Sequence, residues 1–239
     1  MPIYRIAELN IKIEPIYKKT RDTIAPFLTD SQNFDFDASA GTDEISAVVE
    51  ESDTPVSYAL TEGSLVLTKI CRKVLREYNG FFFHSSSLML DGEGYLFTAL
   101  SGTGKSTHTS LWRKRFGDKV TMINDDKPII RKIDGKFMVC STPWMGKAGI
   151  GNNLIAPLKA VYVLQRGKKN TAETVSPAVV FKQLLEATLF PGNAEDAQKL
   201  LTLYDDLFSQ VQLILLNCNM DIEAADVAFQ AANNKLSEV

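Results

Sequence analysis

The run Ser101-Gly102-Thr103-Gly104-Lys105-Ser106-Thr107 contains the residue types that bind a triphosphate. Glycines let successive backbone N–H groups converge on phosphate oxygens, and Lys105 can reach the terminal phosphates. The Ser106 hydroxyl can ligate Mg²⁺, and a helix that begins at the loop adds the positive end of its dipole. Ala99 stands where the usual pattern has its first glycine. Two glycines inside the run still favour a nucleotide-binding loop over an accidental glycine-rich turn.

A pair of carboxylates follows the next strand-like segment. Val120 to Ile123 predicts a strand, and Asn124-Asp125-Asp126 comes directly after it. Side chains alternate across a strand, so the two carboxylates are expected to do different work. One would hold Mg²⁺ directly or through water, and the other would accept a proton from an acceptor hydroxyl. The residues alone leave open which Asp takes which role, and whether the pair is only a solvated turn before Lys127-Pro128.

A second glycine-rich segment extends from residue 141 to residue 153. Its three glycines within six residues give the backbone freedom to approach a ligand closely, and its lysine can neutralise a phosphate or an acidic acceptor. We therefore expect a loop that closes over substrate. The residues predicted to form this substrate loop are Lys147, Gly149, Gly151 and Asn152. The alternative is a surface connection that Trp144 docks onto the core.

The elements around these motifs predict an α/β fold. Tyr95 to Ala99 predicts the strand that enters the phosphate loop, and the residues after the loop predict a helix to about Phe116. Asp91-Gly92 and Asp134-Gly135 favour tight turns, so the strands beside each turn should form hairpins. Parallel βαβ units cannot supply such hairpins. The sheet is therefore expected to be mixed and partly antiparallel, with flanking helices.

Further helices and strands are predicted before and after the segment that contains these motifs. Apolar residues from Leu67 to Tyr78 recur with helical spacing, whereas Ile45 to Val49 is typical of a short strand. The later segments predict, in order, a strand, two helices, a strand and a terminal helix, at 158–164, 177–190, 194–208, 211–216 and 222–232. Residues 1–55 contain no chemical motif. They are predicted to be a small α+β appendage that can pack on a nucleotide-binding catalytic domain of residues 56–239.

Composition excludes several classes of protein. A chain of 239 residues can bury a core without disulfides, and 45% hydrophobic with 23% charged residues is ordinary for a globular protein. The net charge of -3 argues against partners such as nucleic acid or an anionic membrane. Three widely spaced cysteines predict buried, reduced thiols, at Cys71, Cys140 and Cys218. No segment has the pattern of a signal peptide or the apolar length of a membrane span, so we expect a cytoplasmic protein.

Taken together, the segment from His84 to Asn153 resembles the catalytic domain of HPr kinase/phosphorylase and its relatives. That family shares a phosphate-loop core with ATP-dependent phosphoenolpyruvate carboxykinases. The string SGTGKST is similar to the carboxykinase form of the loop, whereas the histidine, hairpin, loop, Asp pair and glycine-rich segment follow the order of the kinase. Gly146 to Asn152 is similar to the kinase signature loop, with Lys147 in place of the expected Arg-Gly pairing. The chain looks most like the compact HPr kinase-related proteins.

The resemblance implies an ATP-dependent kinase that transfers the γ-phosphoryl group to a hydroxyl of a peptide, a protein or a small metabolite. It implies phosphate and metal binding by Lys105 and Ser106 and assistance from His84. The Asp pair serves metal and acceptor chemistry, with Asp125 assigned to the metal and Asp126 to the acceptor in a division that the residues leave open. ATP and Mg²⁺ are the implied cofactors, and a homo-oligomer is compatible with the analogy. Two alternatives remain open: a nucleotide-binding regulatory or scaffold protein without catalysis, and a simple NTPase in which water is the acceptor.

Overall fold

The computed structural model describes residues 1–100, 102–189 and 192–233, which form two β-sheets with flanking helices. The strands are β1 (Ile3–Ile6), β2 (Leu9–Lys12), β3 (Leu28–Thr29), β4 (Phe36–Asp37), β5 (Gly80–Phe82), β6 (Ser86–Leu90), β7 (Glu93–Thr98), β8 (Val120–Asn124), β9 (Ile129–Ile133), β10 (Lys136–Cys140), β11 (Ile155–Arg166), β12 (Thr171–Thr174) and β13 (Gln212–Cys218). The α-helices are α1 (Lys18–Ile24), α2 (Thr42–Glu50), α3 (Tyr58–Glu77), α4 (Lys105–Phe116), α5 (Pro177–Ala187), α6 (Ala194–Gln210) and α7 (Glu223–Asn233).

The larger sheet has nine strands and is mixed, which confirms the predicted fold class. Its main path has the order β5-β9-β10-β11-β7-β6-β8, while β13 pairs with β11 and β12 pairs with β13. Both predicted hairpins are present. Asp91-Gly92 joins β6 to β7 and Asp134-Gly135 joins β9 to β10, and all four turn residues have positive φ, between 48° and 81°. Such dihedrals match the twist of the flanking strands.

Three strands of this sheet run parallel and bring their carboxyl ends to one edge. β11 pairs in parallel with β7 on one side and with β13 on the other. The phosphate loop follows β7, and Arg166 and Cys218 are the last residues of β11 and β13. Ligands of open α/β sheets bind at this kind of edge.

Side chains that alternate between the two faces of the parallel strands build a three-layer core. Leu96 and Val163 contribute to a buried cluster with residues of α5 and α6. Phe97 and Tyr162 contribute to a cluster on the opposite face with residues of α4 and α7. Trp112 of α4 is fully buried there, with its ring centroid 5.4 Å from that of Phe97. This packing fixes the first turns of α4 against the strand that carries the phosphate loop.

The smaller sheet, of order β3-β1-β2-β4, shares a core with the rest of the protein. Tyr4 and Ile11 of this sheet belong to one buried cluster with Ile70 of α3 and with Phe82 and Ile129 of the larger sheet. Residues before position 55 are therefore packed onto the later ones. The boundary at residue 55 stays a prediction.

The strand predicted over Ile45 to Val49 is wrong, because these residues lie in α2. Only Ile45 of this helix is fully buried, and Asp43 and Glu44 stand in its first turn, where acidic groups favour the helix dipole. The helix predicted from Leu67 begins earlier, at Tyr58, after an N-cap at Ser57 whose hydroxyl accepts from Leu60 N at 3.2 Å.

The remaining predicted elements are present with shifted ends. The strand predicted at 158–164 extends over 155–166, and the last strand occupies 212–218. The helix predicted to about Phe190 ends at Ala187, and Phe190 itself lies outside the described residues. None of the described helices has the length and apolar character that a membrane span requires.

Candidate active site

Two glycines of the predicted phosphate loop have positive φ. Gly102 and Gly104 have φ of 77° and 124°, which side chains with a Cβ rarely adopt. α4 begins directly after Gly104 and has no acidic residue in its first turn. The first N–H groups of the helix therefore face the loop without a side-chain cap, as an anion site requires. Ser106 and Thr107 are exposed at this helix end, and Ser101 lies outside the described residues.

Lys105 is half-buried beside the loop. Its Nζ lies 3.2 Å from Nε2 of His84 and 3.4 Å from the carbonyl oxygen of Ala99. Burial lowers its pKa, and the charge of Asp126 opposes that shift. Among the described residues, no carboxylate lies within ion-pair distance of this ammonium. A phosphate at the loop would supply the anionic partner that the lysine lacks.

A chain of polar side chains leads away from Lys105. Nδ1 of His84 lies 3.0 Å from Oδ1 of Asp126, and Oδ2 of Asp126 accepts a hydrogen bond from Lys127. Since the Lys105 ammonium donates to Nε2, the histidine must carry its proton on Nδ1 and donate it to the carboxylate. Burial alone would raise the pKa of Asp126, but the hydrogen bonds from His84 and Lys127 outweigh it and lower the pKa to about 2.

Backbone contacts hold this chain in place. Ser85 N donates to Asp126 O at 3.0 Å, and the Thr98 hydroxyl at the end of β7 donates to His84 O at 3.1 Å. The Asn124 side chain accepts from the N–H groups of Asp126 and Lys127, each at 2.8 Å. His84 lies before β6, which begins at Ser86. It lies in the bend between β5 and β6, beside the end of β7.

Asp125 faces another part of the protein than Asp126 does. Its carboxylate is almost fully buried and accepts a hydrogen bond from Gly146 N at 2.7 Å. A Cβ on Gly146 would lie 3.1 Å from Asp125 Oδ2, a contact tighter than most that a Cβ makes. The two neighbouring carboxylates thus have different partners. One belongs to the polar chain at the phosphate loop, and the other anchors the glycine-rich segment.

The predicted substrate loop is docked on β8. A Cβ on Gly151 would lie 2.8 Å from Ile123 O, and the Asn152 side chain donates to Met122 O at 2.9 Å. Gly149 has a φ of 59° in a tight turn, and Lys147 is exposed beside it. The Trp144 ring packs edge-on against Phe82 at 5.8 Å. Docking by Trp144 matches the alternative interpretation of the segment, while contact with a substrate stays a prediction.

Arg166 and Lys127 lie near the site but are not among the predicted site residues. Nη2 of Arg166 donates to Gly102 O at 2.6 Å, and its Nε lies 3.4 Å from Thr103 O. This guanidinium therefore braces the phosphate loop from the end of β11. The signal available in the sequence was only its position directly after a predicted strand. Lys127 is noticeable only as the neighbour of Asp126.

Comparisons with known proteins find similarity to solved structures. No protein-family model matches the chain, and no curated protein is significantly similar to it. Among solved structures, the chain is similar to the Hpr(Ser) kinase/phosphatase from Coxiella burnetii, with a TM-score of 0.37 and 12% sequence identity. The superposition covers 64% of this chain and 94% of that chain. Likeness at this level assigns no role to any residue, so the roles below come from the geometry of the site.

A cleft of about 600 Å³ opens directly beside the phosphate loop. It is lined by Gly102, Thr103, Gly104, Thr107, His108, Leu164, Arg166, Gly167, Cys218, Asn219 and Met220. A larger cleft of about 770 Å³ lies against the smaller sheet, with Tyr4 and Arg21 in its wall, and shares no residue with the loop. The smaller cleft adjoins the predicted phosphate loop, although Lys105, His84 and Asp126 are not among its lining residues.

The residues present fit a magnesium ion that is bound together with a triphosphate. In the described part of the chain, no group of three or more His, Cys, Asp or Glu side chains could hold a metal by itself. Mg²⁺ in nucleotide sites takes only one or two protein ligands and completes its shell with phosphate oxygens and water. The exposed Ser106 hydroxyl and one of the two Asp carboxylates are of the required type.

Proposed function

We propose that the protein is an ATP-dependent phosphotransferase that moves the γ-phosphoryl group to a hydroxyl of a peptide, a protein or a small metabolite. The observation that carries this proposal is the polar chain from Lys105 through His84 to Asp126. It links a phosphate-binding lysine to a carboxylate by one imidazole. Phosphate binding alone does not need such a carboxylate, whereas transfer to a hydroxyl does.

Each residue of the site would have a distinct role in that reaction. Lys105 and the N–H groups at the start of α4 would stabilise the charge of the transferred phosphoryl group. The Ser106 hydroxyl would hold Mg²⁺, which neutralises charge on the phosphates, and Asp125 stays the predicted second ligand, although its carboxylate is bound to Gly146 N. Arg166 would keep the loop in its binding conformation through the carbonyl of Gly102.

Asp126 would accept the proton of the acceptor hydroxyl. A carboxylate with a pKa of about 2 stays ionised across the physiological range, so it is always in the form that accepts. His84 would orient it, since its Nδ1–H donates to Oδ1. The hydrogen bond from Lys127 to Oδ2 leaves the carboxylate held from both sides.

The proposal is tested by mass spectrometry of acceptors incubated with ATP labelled at the γ-phosphate. The acceptors would be serine-containing and threonine-containing peptides, small hydroxy metabolites and the products of neighbouring genes. Transfer of label to an acceptor hydroxyl supports the kinase. Release of labelled phosphate at a rate that no acceptor changes would identify a simple NTPase, and binding without either reaction would identify a regulatory protein.

A further inference from the structure

The larger cleft, of about 770 Å³, has no part in the proposed reaction. Its lining includes Tyr4 of β1, Arg21 of α1, Leu28 of β3 and residues 14–16 and 39–41. None of its lining residues belongs to the phosphate loop or to the polar chain. Its volume lies within the range of small-molecule sites, which combine an apolar wall with a few placed polar groups. This cleft contains both of these parts.

Most of the cleft wall is apolar, and part of it is open to solvent. Leu28 is 60% exposed and Ile16 is 42% exposed, although both are large hydrophobic residues. Exposed apolar surface that is rimmed by polar residues is typical of a ligand-binding groove. A ligand with an apolar body would cover it. The apolar lining residues are Pro2, Pro15, Ile16, Ala25, Leu28 and Ala40.

A buried tyrosine presents its hydroxyl to the cleft. Tyr4 is only 4% exposed, because its ring belongs to the buried cluster of the smaller sheet. Its hydroxyl makes no hydrogen bond with any described residue and is not among the fully covered polar atoms, so it keeps access to the cleft. A buried tyrosine usually pairs its hydroxyl. This donor is therefore held in place for a ligand.

Arg21 adds a positive charge beside this hydroxyl. Burial raises the pKa of Tyr4, and the charge of Arg21 opposes this rise, so the two side chains lie close together. Nη2 of Arg21 donates to Pro15 O at 3.3 Å, which orients the side chain along the wall. A guanidinium has five N–H donors, so the remaining ones can bind a ligand.

The acidic residues near Arg21 have other partners. Asp22 is ion-paired with Lys18. Glu14, which also lines the cleft, lies 3.3 Å from the ammonium of Lys12. Among the described residues, Arg21 has no carboxylate within ion-pair distance. A guanidinium binds a carboxylate through two parallel N–H donors, so an organic acid in the cleft would supply the missing partner.

We propose that this cleft binds a small carboxylic acid with an apolar body. Its carboxylate accepts hydrogen bonds from the Arg21 guanidinium and the Tyr4 hydroxyl, and its apolar part covers Ile16 and Leu28. A phosphate is a poorer match, since its higher charge calls for more donors than one arginine and one hydroxyl provide. The inference goes beyond the proposed function, because the site requires neither a nucleotide nor a phosphoryl acceptor.

Titration of the isotope-labelled protein with phenylbutyrate, followed by amide shifts in NMR spectra, tests the site. The amides of Ile16, Leu28 and Gly41 should shift in a saturable way, whereas those of Gly102 and Gly104 at the phosphate loop should not. Phenylbutanol, the neutral analogue, should bind about tenfold more weakly, because it cannot form the charged hydrogen bonds to the guanidinium.

Two variants locate the carboxylate within the cleft. Tyr4→Phe removes only the hydroxyl and should weaken phenylbutyrate binding about twofold to tenfold. Arg21→Gln should weaken it about tenfold and leave phenylbutanol binding unchanged. Lys19→Gln is the matched control, since Lys19 is an exposed cation of α1 outside the cleft lining. Thermal unfolding of each variant checks that it is folded.

The outcomes that contradict the inference are distinct from those above. Equal affinity for the acid and the alcohol, or no saturable shift at the cleft amides, would overturn it. Equal losses in Arg21→Gln and Lys19→Gln would also overturn it, since the charge would then act without a specific contact. Tighter binding of an apolar peptide with an amidated C-terminus would indicate a peptide groove and contradict the carboxylate site.

Discussion

Nδ1 of His84 lies 3.0 Å from Oδ1 of Asp126, and this contact joins the bend before β6 to the turn after β8. The same two segments are joined by a backbone hydrogen bond from Ser85 to Asp126, so the main chain fixes the geometry of the pair. The other ring nitrogen of His84 faces Lys105 at 3.2 Å. A single imidazole thus connects the candidate base to the phosphate loop.

Asp126→Asn should lower phosphotransfer about 10²-fold to 10⁴-fold, because an amide cannot take up the proton of the acceptor hydroxyl. ATP affinity should change little, since Lys105 and the loop N–H groups are untouched. Steady-state rates and calorimetry on the same preparation would separate the two effects. Asp205→Asn, an exposed acid on α6, is the matched control. Full activity in Asp126→Asn would rule out its role as the base.

Arg166→Ala should weaken ATP binding about fivefold to tenfold, because the loop loses the hydrogen bond that its guanidinium donates to Gly102 O. The side chain is exposed, so a larger loss is not expected. Titration of ATP by calorimetry measures the change. Lys168→Ala removes an exposed charge from the same turn and should bind ATP as the wild type does. Equal losses of ATP affinity in both variants would indicate a general effect of positive charge and not a specific effect of the hydrogen bond to Gly102 O.

Gly151→Ala should destabilise the protein by roughly 1–3 kcal/mol or displace the glycine-rich segment from β8. The added Cβ would lie 2.8 Å from both Ile123 O and the Met145 methyl carbon, and the backbone oxygen cannot move aside easily. Gly41→Ala is the control, since it has open space around its Cβ and an ordinary φ of -78°. Denaturant unfolding compares the two. A stability loss no greater than that of Gly41→Ala would show that the segment is not tightly docked.

His108 should make stability depend on pH between about 6.5 and about 4. Burial lowers its pKa to about 4 in the folded protein, so the unfolded chain binds the proton first and stability falls as the pH falls through this window. From about pH 7.5 to about pH 5.5 the loss should be about 1 kcal/mol. His108→Gln keeps an acceptor for Trp112 and should flatten this part of the curve. An unchanged dependence of stability on pH in His108→Gln would contradict the assignment of this dependence to His108.

Much of this site could be predicted because its signals are local. Gly102 and Gly104 require positive φ, Asp91-Gly92 defines a hairpin, and alternation along the strand before Asp125 separates the two carboxylates. Each of these depends on a few neighbouring residues. The mixed sheet followed from the two hairpins without knowledge of which strands pair.

The features that could not be predicted depend on contacts between residues distant in sequence. The bond from Arg166 to Gly102 spans 64 residues and exists only because β11 lies beside β7. The sequence predicts a strand in place of α2 because Ile45, Val48 and Val49 favour strands. Only the tertiary fold shows that Val48 and Val49 need no burial. The cleft wall at Cys218 and Met220 has no motif and appears only when β13 is placed next to β11.

The central claim is most directly tested by transfer of the γ-phosphoryl group of ATP in Lys105→Met, a variant that keeps the length of the side chain and removes its charge. Wild type and the control Lys136→Met, an exposed lysine of β10, should turn over ATP equally. Lys105→Met should lose about 10²-fold or more of that turnover with unchanged folding by circular dichroism, because charge stabilisation at the transferred phosphate is lost. Turnover by Lys105→Met at the rate of the wild type would contradict the assignment of this loop as a phosphotransfer centre.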